Sequence, residues 1–392
     1  TKICLPMKMP KNGTNVWIWI LFLLIILYQL KGVLYPEGII SVGIAMLELL
    51  LCFFFFLGVI LSKHVPNIAF SLVLLVVVVT ISFLFSPMVL YGSIIGKVST
   101  FPMYRNIIGA VLPFFPLYYW GRKGEIGEGM LKTFFFCVFV VTILVFIRGT
   151  FLAVDEKNAD TTINEAYRFV FLLPYVAMLK KKWAFMFVVL SLILILLSAK
   201  RGALLAYSIG LVIYAYYFLK SNKHFVRNII ILLLVFTLIV YIGIEIYNNN
   251  PYLQLRLEDT LEGNTSSRDY LLVKMLSHWC NSNSVMDYFI GIGFCQSVCI
   301  AGNYAHNDWV EFLIGMGLIG IVIYFFFYLS LFRYFLFRKK ICNLSSFSLI
   351  VYMLFLTSLY SMAFFNEPSC FCFILLGYLA GKNEYQRCLV RC

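Results

Sequence analysis

Apolar runs of about 17–24 residues recur along most of this 392-residue chain, each long enough to cross a ~30 Å hydrocarbon core as a helix. A chain patterned this way has few folds open to it. In lipid every backbone N–H and C=O must be satisfied within the protein, which leaves helices and closed barrels. A barrel requires short alternating segments, and these are absent. Composition agrees: 62% of residues are apolar and 12% charged, against about 45–50% and 25% in soluble domains. The sequence therefore predicts an all-α polytopic integral membrane protein with about 12 transmembrane helices and one longer outer segment containing short amphipathic helices.

The expected spans are 16–34, 38–61, 68–85, 107–120, 133–152, 166–179, 183–198, 202–219, 228–247, 308–332, 345–365 and 369–381. The fourth contains Pro113 and Pro116 and is expected to kink. They fall into N-terminal helices (1–182), helices joined by an Arg-Gly hairpin (183–247), a polar segment (248–305) and C-terminal helices (306–392). The net charge of +13 does not point to nucleic acid, because the basic residues sit between the spans. With both termini cytoplasmic, inner segments hold 20 of the 31 Lys and Arg residues but only Glu125, Glu128 and Glu384 among the acids. Lys and Arg are retained inside during insertion, which supports that orientation. The polar segment then faces outward, on the periplasmic side of a bacterial inner membrane.

Chemistry-bearing residues gather on that outer side. The stretch 303–309 places His306, Asn307 and Asp308 where water meets membrane, with Glu311 one turn on. Five arginines lie on the face that the charge rule depletes: Arg105, Arg148, Arg168, Arg201 and Arg268. A guanidinium fork suits phosphate oxygens, while Asp155, Glu156 and Glu165 offer it ordinary ion pairs. Arg201 stands at the tip of a hairpin, between Lys200 and Gly202. Arg268 opens a helix-patterned segment in which Leu271, Leu272, Met275, Leu276 and Trp279 recur on one face, as in a helix lying on the membrane. Gly291 and Gly293 mark a tight turn without the context of a nucleotide loop. Cys280, Cys295 and Cys299 share the polar segment and can pair, but no CxxC or Cys/His spacing indicates a metal. Glu48 and Glu245 fall in or near spans and receive no role, and His278 is read as structural.

The stretches Ser198-Ala199-Lys200-Arg201-Gly202, Ser267-Arg268 and Gly291-Ile292-Gly293, and the His306-Asn307 pair followed after nine residues by Gly317-x-x-Gly320, resemble the O-antigen polymerase and O-antigen ligase superfamily of bacterial envelope glycosyltransferases. The resemblance covers about residues 183–332; earlier spans match only in being apolar. It implies transfer of a glycan from undecaprenyl pyrophosphate to a sugar hydroxyl, with no cofactor or required metal. His306 is then the general base, and Arg201 and Arg268 stabilise the leaving pyrophosphate. Asn307 or Asp308 orients the imidazole or a sugar hydroxyl, while Lys200, Arg105 and Arg168 are further substrate contacts. The expected partners are lipid-linked glycan donor and acceptor, membrane lipids, a chain-length regulator and a flippase, with no nucleic acid. Gly317 and Gly320, one turn apart, are expected to allow close helix packing. The polymerase reading competes with a ligase that delivers the chain to lipid A–core, and with a transporter of lipid-linked sugars. A transporter requires charges at mid-membrane on broken helices.

Overall fold

The computed structural model describes residues 15–31, 33–34, 38–62, 65–92, 96–155, 164–220, 225–249, 254–255, 258, 268–337 and 343–391. The basic tail at 2–11, the run 264–267 before Arg268 and the basic residues 338–340 lie outside them. The fold is a helical membrane protein. Five helices are long and apolar enough to cross a membrane: 39–60, 67–84, 128–149, 201–220 and 308–336. Shorter apolar helices occupy 16–29, 166–176 and 344–360.

In chain order the elements are α1 (Val16–Gln29), α2 (Ile39–Ile60), α3 (Asn67–Leu84), α4 (Thr100–Val111), α5 (Phe114–Lys123), α6 (Glu128–Asp155), α7 (Ala166–Val176), α8 (Lys181–Leu197), α9 (Arg201–Lys220), α10 (Phe225–Asn248), α11 (Arg268–Cys280), α12 (Val285–Ile290), α13 (Ser297–Ala301), α14 (Asp308–Phe337), α15 (Leu344–Tyr360) and α16 (Cys370–Arg391). Each of the twelve expected stretches holds helix, but only the five named are long and apolar enough to cross a membrane. The proline-containing fourth is two helices, α4 and α5, divided at Leu112-Pro113. The stretch between α3 and α4 holds a small antiparallel hairpin of β1 (Val89–Gly92) and β2 (Gly96–Ser99).

Small residues set the closest packing, as expected where lipid supplies no hydrophobic drive between helices. A Cβ on Gly377 of α16 would stand 2.3 Å from the Phe114 carbonyl oxygen, and one on Gly381 would stand 2.4 Å from that of Tyr118. The glycines thus let α16 lie directly on the backbone of α5.

Gly317 does something other than the expected helix packing. At φ 60° and ψ −157° it breaks α14, in a region of backbone space that is essentially glycine-only. The Gly291–Gly293 turn docks into this break: the Ile292 N–H donates to the Ile314 carbonyl at 2.9 Å, and Gly293 donates to Gly315 at 3.2 Å. A Cβ on Gly291 or Gly317 would lie within 2.5–2.6 Å of the other strand's backbone. The break lies roughly 14 Å along α14 at 1.5 Å per residue, so this part of the polar segment dips into the bundle. Phe294 and Val298 join the main core there. Irregular backbone at that depth is tolerated because protein covers it.

Part of the apolar face of α11 packs on protein, while Leu276 of that face is exposed. Leu271 and Met275 are buried with Ala301, Ala305, Val310 and Ile314, while Tyr270 and Val273 point outward. This small satellite core fixes Arg268 relative to the start of α14.

Candidate functional site

Four chain segments meet at one end of α9 and α15. Ala199 takes a left-handed φ of 51°, turning the chain between α8 and α9. Ser198 clamps that turn, its hydroxyl donating to Ile195 O at 2.6 Å and accepting from Lys200 N at 3.2 Å. Lys200 and Arg201 are thereby presented at the mouth of α9, and Lys200 Nζ donates to Asn164 Oδ1 at 2.5 Å.

Arg268, the first residue of α11, donates from Nη1 to the Tyr360 carbonyl at 2.7 Å. The Tyr360 hydroxyl donates in turn to Gly202 O at 2.9 Å. Tyr360 therefore ties the arginine of α11 to the Arg-Gly turn of α9. Gly202 is required by contact: a Cβ there would stand 2.3 Å from the Tyr167 hydroxyl and 2.9 Å from Tyr360 Cε2.

His306 precedes α14 in a left-handed conformation, φ 52°, which is uncommon for a residue with a side chain and is held by its surroundings. Asn307 accepts from Val310 N at 3.1 Å, the bond of a helix cap, and donates to Leu359 O at 2.8 Å. On the other side, Glu311 accepts from Ala305 N at 3.1 Å and from the Ser297 hydroxyl at 2.6 Å. His306 is thus pinned from both flanks. Burial, then the positive charges of Arg268 and Lys200, lower its pKa from 6.5 to about 4. The imidazole is neutral at physiological pH, as a proton acceptor must be.

The expected site residues divide into two groups. His306, Arg268 and Lys200 act on one another electrostatically, and Arg201 adjoins them in the chain. Asn307 and Asp308 are committed to the fold. The Asp308 carboxylate is fully buried, accepting from the Tyr324 hydroxyl at 2.8 Å and Phe364 N at 3.1 Å. Both bonds use Oδ2, and Oδ1 is buried with no hydrogen-bond partner among the described residues. Arg168 is also internal, 6% exposed, and bonded to the Glu165 carboxylate and Gln29 Oε1; it makes the ordinary ion pair that the sequence also allowed. Arg105 lies in a separate polar cavity with Glu48 and Glu367. Arg148 and His278 are exposed, and Cys280, Cys295 and Cys299 are free thiols. Among the described residues no three His, Cys, Asp or Glu converge as metal ligands.

Tyr167, Tyr360 and Glu311 complete the site and carried no assigned role in the sequence. The sequence signal for this packing is Gly202, directly after an arginine at a hairpin tip, where a missing side chain lets other segments of the chain approach. Compared with known protein families and with curated proteins, this sequence matches none.

Proposed function

We propose that this chain is a polytopic inner-membrane glycosyltransferase that polymerises lipid-pyrophosphate-linked glycan units at the periplasmic face, with about twelve spans and both termini cytoplasmic. The observation that carries this reading is a neutral, backbone-strained His306 held among the cations of Arg268 and Lys200, beside Arg201, where helices end.

In the proposed reaction a sugar hydroxyl of the acceptor attacks the anomeric carbon of the donor. The bond from that carbon to the phosphate oxygen breaks, the lipid pyrophosphate leaves, and the hydroxyl proton passes to His306. Attack opposite the leaving group inverts the anomeric centre. Arg201 and Arg268 stabilise the charge that grows on the pyrophosphate.

The same cations explain how a base with a pKa of about 4 becomes competent. A seated pyrophosphate offsets the charge of Arg268 and Lys200, which removes part of what depresses His306. Proton acceptance is therefore strongest once the donor is in place, and proton transfer of this kind contributes about 10²–10⁴-fold.

A second reading, a transporter of lipid-linked glycan, draws on Glu48, buried within α2, because such carboxylates mark substrate paths in membranes. One experiment separates the readings. Purified protein is incubated with lipid-pyrophosphate-linked repeat units, with and without lipid A–core. Longer lipid-linked chains without core support the polymerase, and product formed only with core supports a ligase. Absence of transfer in both, with glycan movement across proteoliposomes, supports transport and overturns the enzyme reading.

A further inference from the structure

At the far end of α9 and α15 from His306 lies a cavity that the candidate site does not use. Tyr217 of α9 is sixteen residues beyond Arg201, and Leu344 of α15 is sixteen residues before Tyr360. At 1.5 Å per residue, each stands about 24 Å along its helix from the site. The cavity measures about 370 Å³, inside the range of roughly 300–1,000 Å³ that small-molecule pockets occupy. Lys181, Tyr214, Tyr217, Phe218, Asn343 and Ser345 form the polar and aromatic part of its lining.

Packing and capping fix these walls. The hydroxyls of Tyr217 and Ser348 share a hydrogen bond at 2.8 Å, which ties α9 to α15. Asn343 takes a left-handed φ of 55° to cap α15, and its Oδ1 accepts from the Ser345 hydroxyl at 2.9 Å and from Ser346 N at 3.4 Å. With Oδ1 engaged in the cap, the N–H groups are the donors its amide has left to offer a ligand. Lys181 opens α8, and its Nζ lies 5.2 Å from the centroid of the Phe218 ring. The ammonium therefore rests against another wall of the same cavity, as a cation over an aromatic face.

Charge decides what such a space can hold. Every lining residue falls in 166–244 or 312–366, and neither stretch contains an Asp or a Glu. Lys180 and Lys182 flank Lys181, and Lys220 ends α9, where it offsets the carbonyl end of that helix. A cation would meet only like charge. An uncharged ligand would fill the space and leave the Lys181 ammonium without a counter-charge. An anion meets that ammonium, the Asn343 amide and the first N–H groups of α15, which have no acceptor inside their helix. The volume far exceeds a bare inorganic anion, and the rings of Tyr214 and Phe218 suit an organic group attached to it.

We infer that this cavity is a phosphate-ester site, in which Lys181 supplies the counter-charge and the aromatic rings cover the organic part of the ligand. It is independent of the glycosyltransferase reading, because no residue of the His306 site takes part. A phospholipid head group and a soluble phosphate ester share this chemistry, and a cavity at the ends of apolar helices is within reach of both.

The test uses the full-length protein, purified in detergent and stripped of lipid. Native mass spectrometry reads binding of dioleoylphosphatidylglycerol against dioleoylglycerol, and titration calorimetry reads glycerol 3-phosphate against glycerol. The phosphate-bearing member of at least one pair should bind, and its phosphate-free counterpart should not. Lys181 is exposed, so Lys181→Ala should stay monodisperse while losing roughly 10–100-fold in affinity, the scale of a hydrogen bond to a charged group. Lys181→Arg should retain binding within a few-fold. Lys182→Ala removes the next lysine, which does not line the cavity, and should lose no more than about fivefold, the general effect of one basic residue near a membrane. Binding of phosphatidylglycerol alone identifies a lipid head group; binding of glycerol 3-phosphate as well shows that the soluble ester suffices. Equal losses in Lys181→Ala and Lys182→Ala overturn the site, since they leave only a basic surface. Phosphate-free probes that bind as tightly as their partners, or no binding by either phosphate-bearing probe, also overturn it.

Discussion

Gly202→Ala tests how tightly the candidate site is assembled, because two effects of opposite sign meet there. Gly202 is the second residue of α9, and an alanine in a helix is ordinarily favoured over glycine by about 0.5–1 kcal/mol. The new Cβ would stand 2.3 Å from the Tyr167 hydroxyl, where ordinary contact requires about 3.5 Å. Tyr167 is 3% exposed, so its ring has nowhere free to retreat. Overpacking of this kind costs about 1–3 kcal/mol, which equals or outweighs the helix gain and leaves the protein less stable by up to roughly 2.5 kcal/mol. Tyr167→Phe removes the offending atom, so the cost of Gly202→Ala should fall by at least half in that background. Denaturant titration in detergent, followed by tryptophan fluorescence, gives the four stabilities of the cycle. A wild-type background in which Gly202→Ala stabilises, or equal costs in both backgrounds, would refute the packing argument. The same substitution pushes on Tyr360, the carrier of Arg268, so transfer should drop more than stability alone explains.

Carbon-13 NMR of labelled histidine, of which the chain has four, should place the His306 midpoint at about 4 and move it upward when inorganic pyrophosphate is added; titration near 6.5 without ligand contradicts the site. Because the folded value lies below the unfolded one, His306 contributes stability that is complete above pH 6.5 and is lost as pH falls toward 4. Arg268→Lys should lower donor use at least tenfold at unchanged expression, since an ammonium replaces neither a bidentate phosphate contact nor the anchor to the Tyr360 carbonyl; donor-concentration series at saturating acceptor measure it. Gly317→Ala and Gly291→Ala should each cost several kcal/mol, detected as loss of monodisperse protein, because both combine positive φ with backbone contacts of 2.5 Å. Gly129→Ala, with nothing within 4 Å, should be neutral or mildly stabilising.

The membrane class and the helices were legible because lipid imposes one rule on every span, and that rule is written in run length and hydropathy. The kink between α4 and α5 was legible for a similar reason, since a proline in mid-span removes a backbone donor and crowds the preceding turn. Gly317 shows where such reading stops. Its one-turn spacing from Gly320 suggests a smooth packing face, yet its conformation breaks the helix, because the carbonyls it releases are taken up by Ile292 and Gly293. No local pattern announces a partner from another segment.

For the site, the sequence by itself determined which residue types were available at the ends of the apolar helices: an imidazole, several guanidiniums and a lysine. It did not determine which of them meet. Tertiary structure decided that Arg268 and Lys200 act on His306, that Arg168 and Asp308 are internal, and that Arg105 belongs to a different cavity with Glu48. The physical reason is range. Hydropathy and helix geometry act along the chain within a few turns, whereas ion pairing and burial depend on distances between helices far apart in sequence. An arginine looks the same in sequence whether its partner is a carboxylate, a phosphate or a sugar hydroxyl; only its neighbours in space distinguish them.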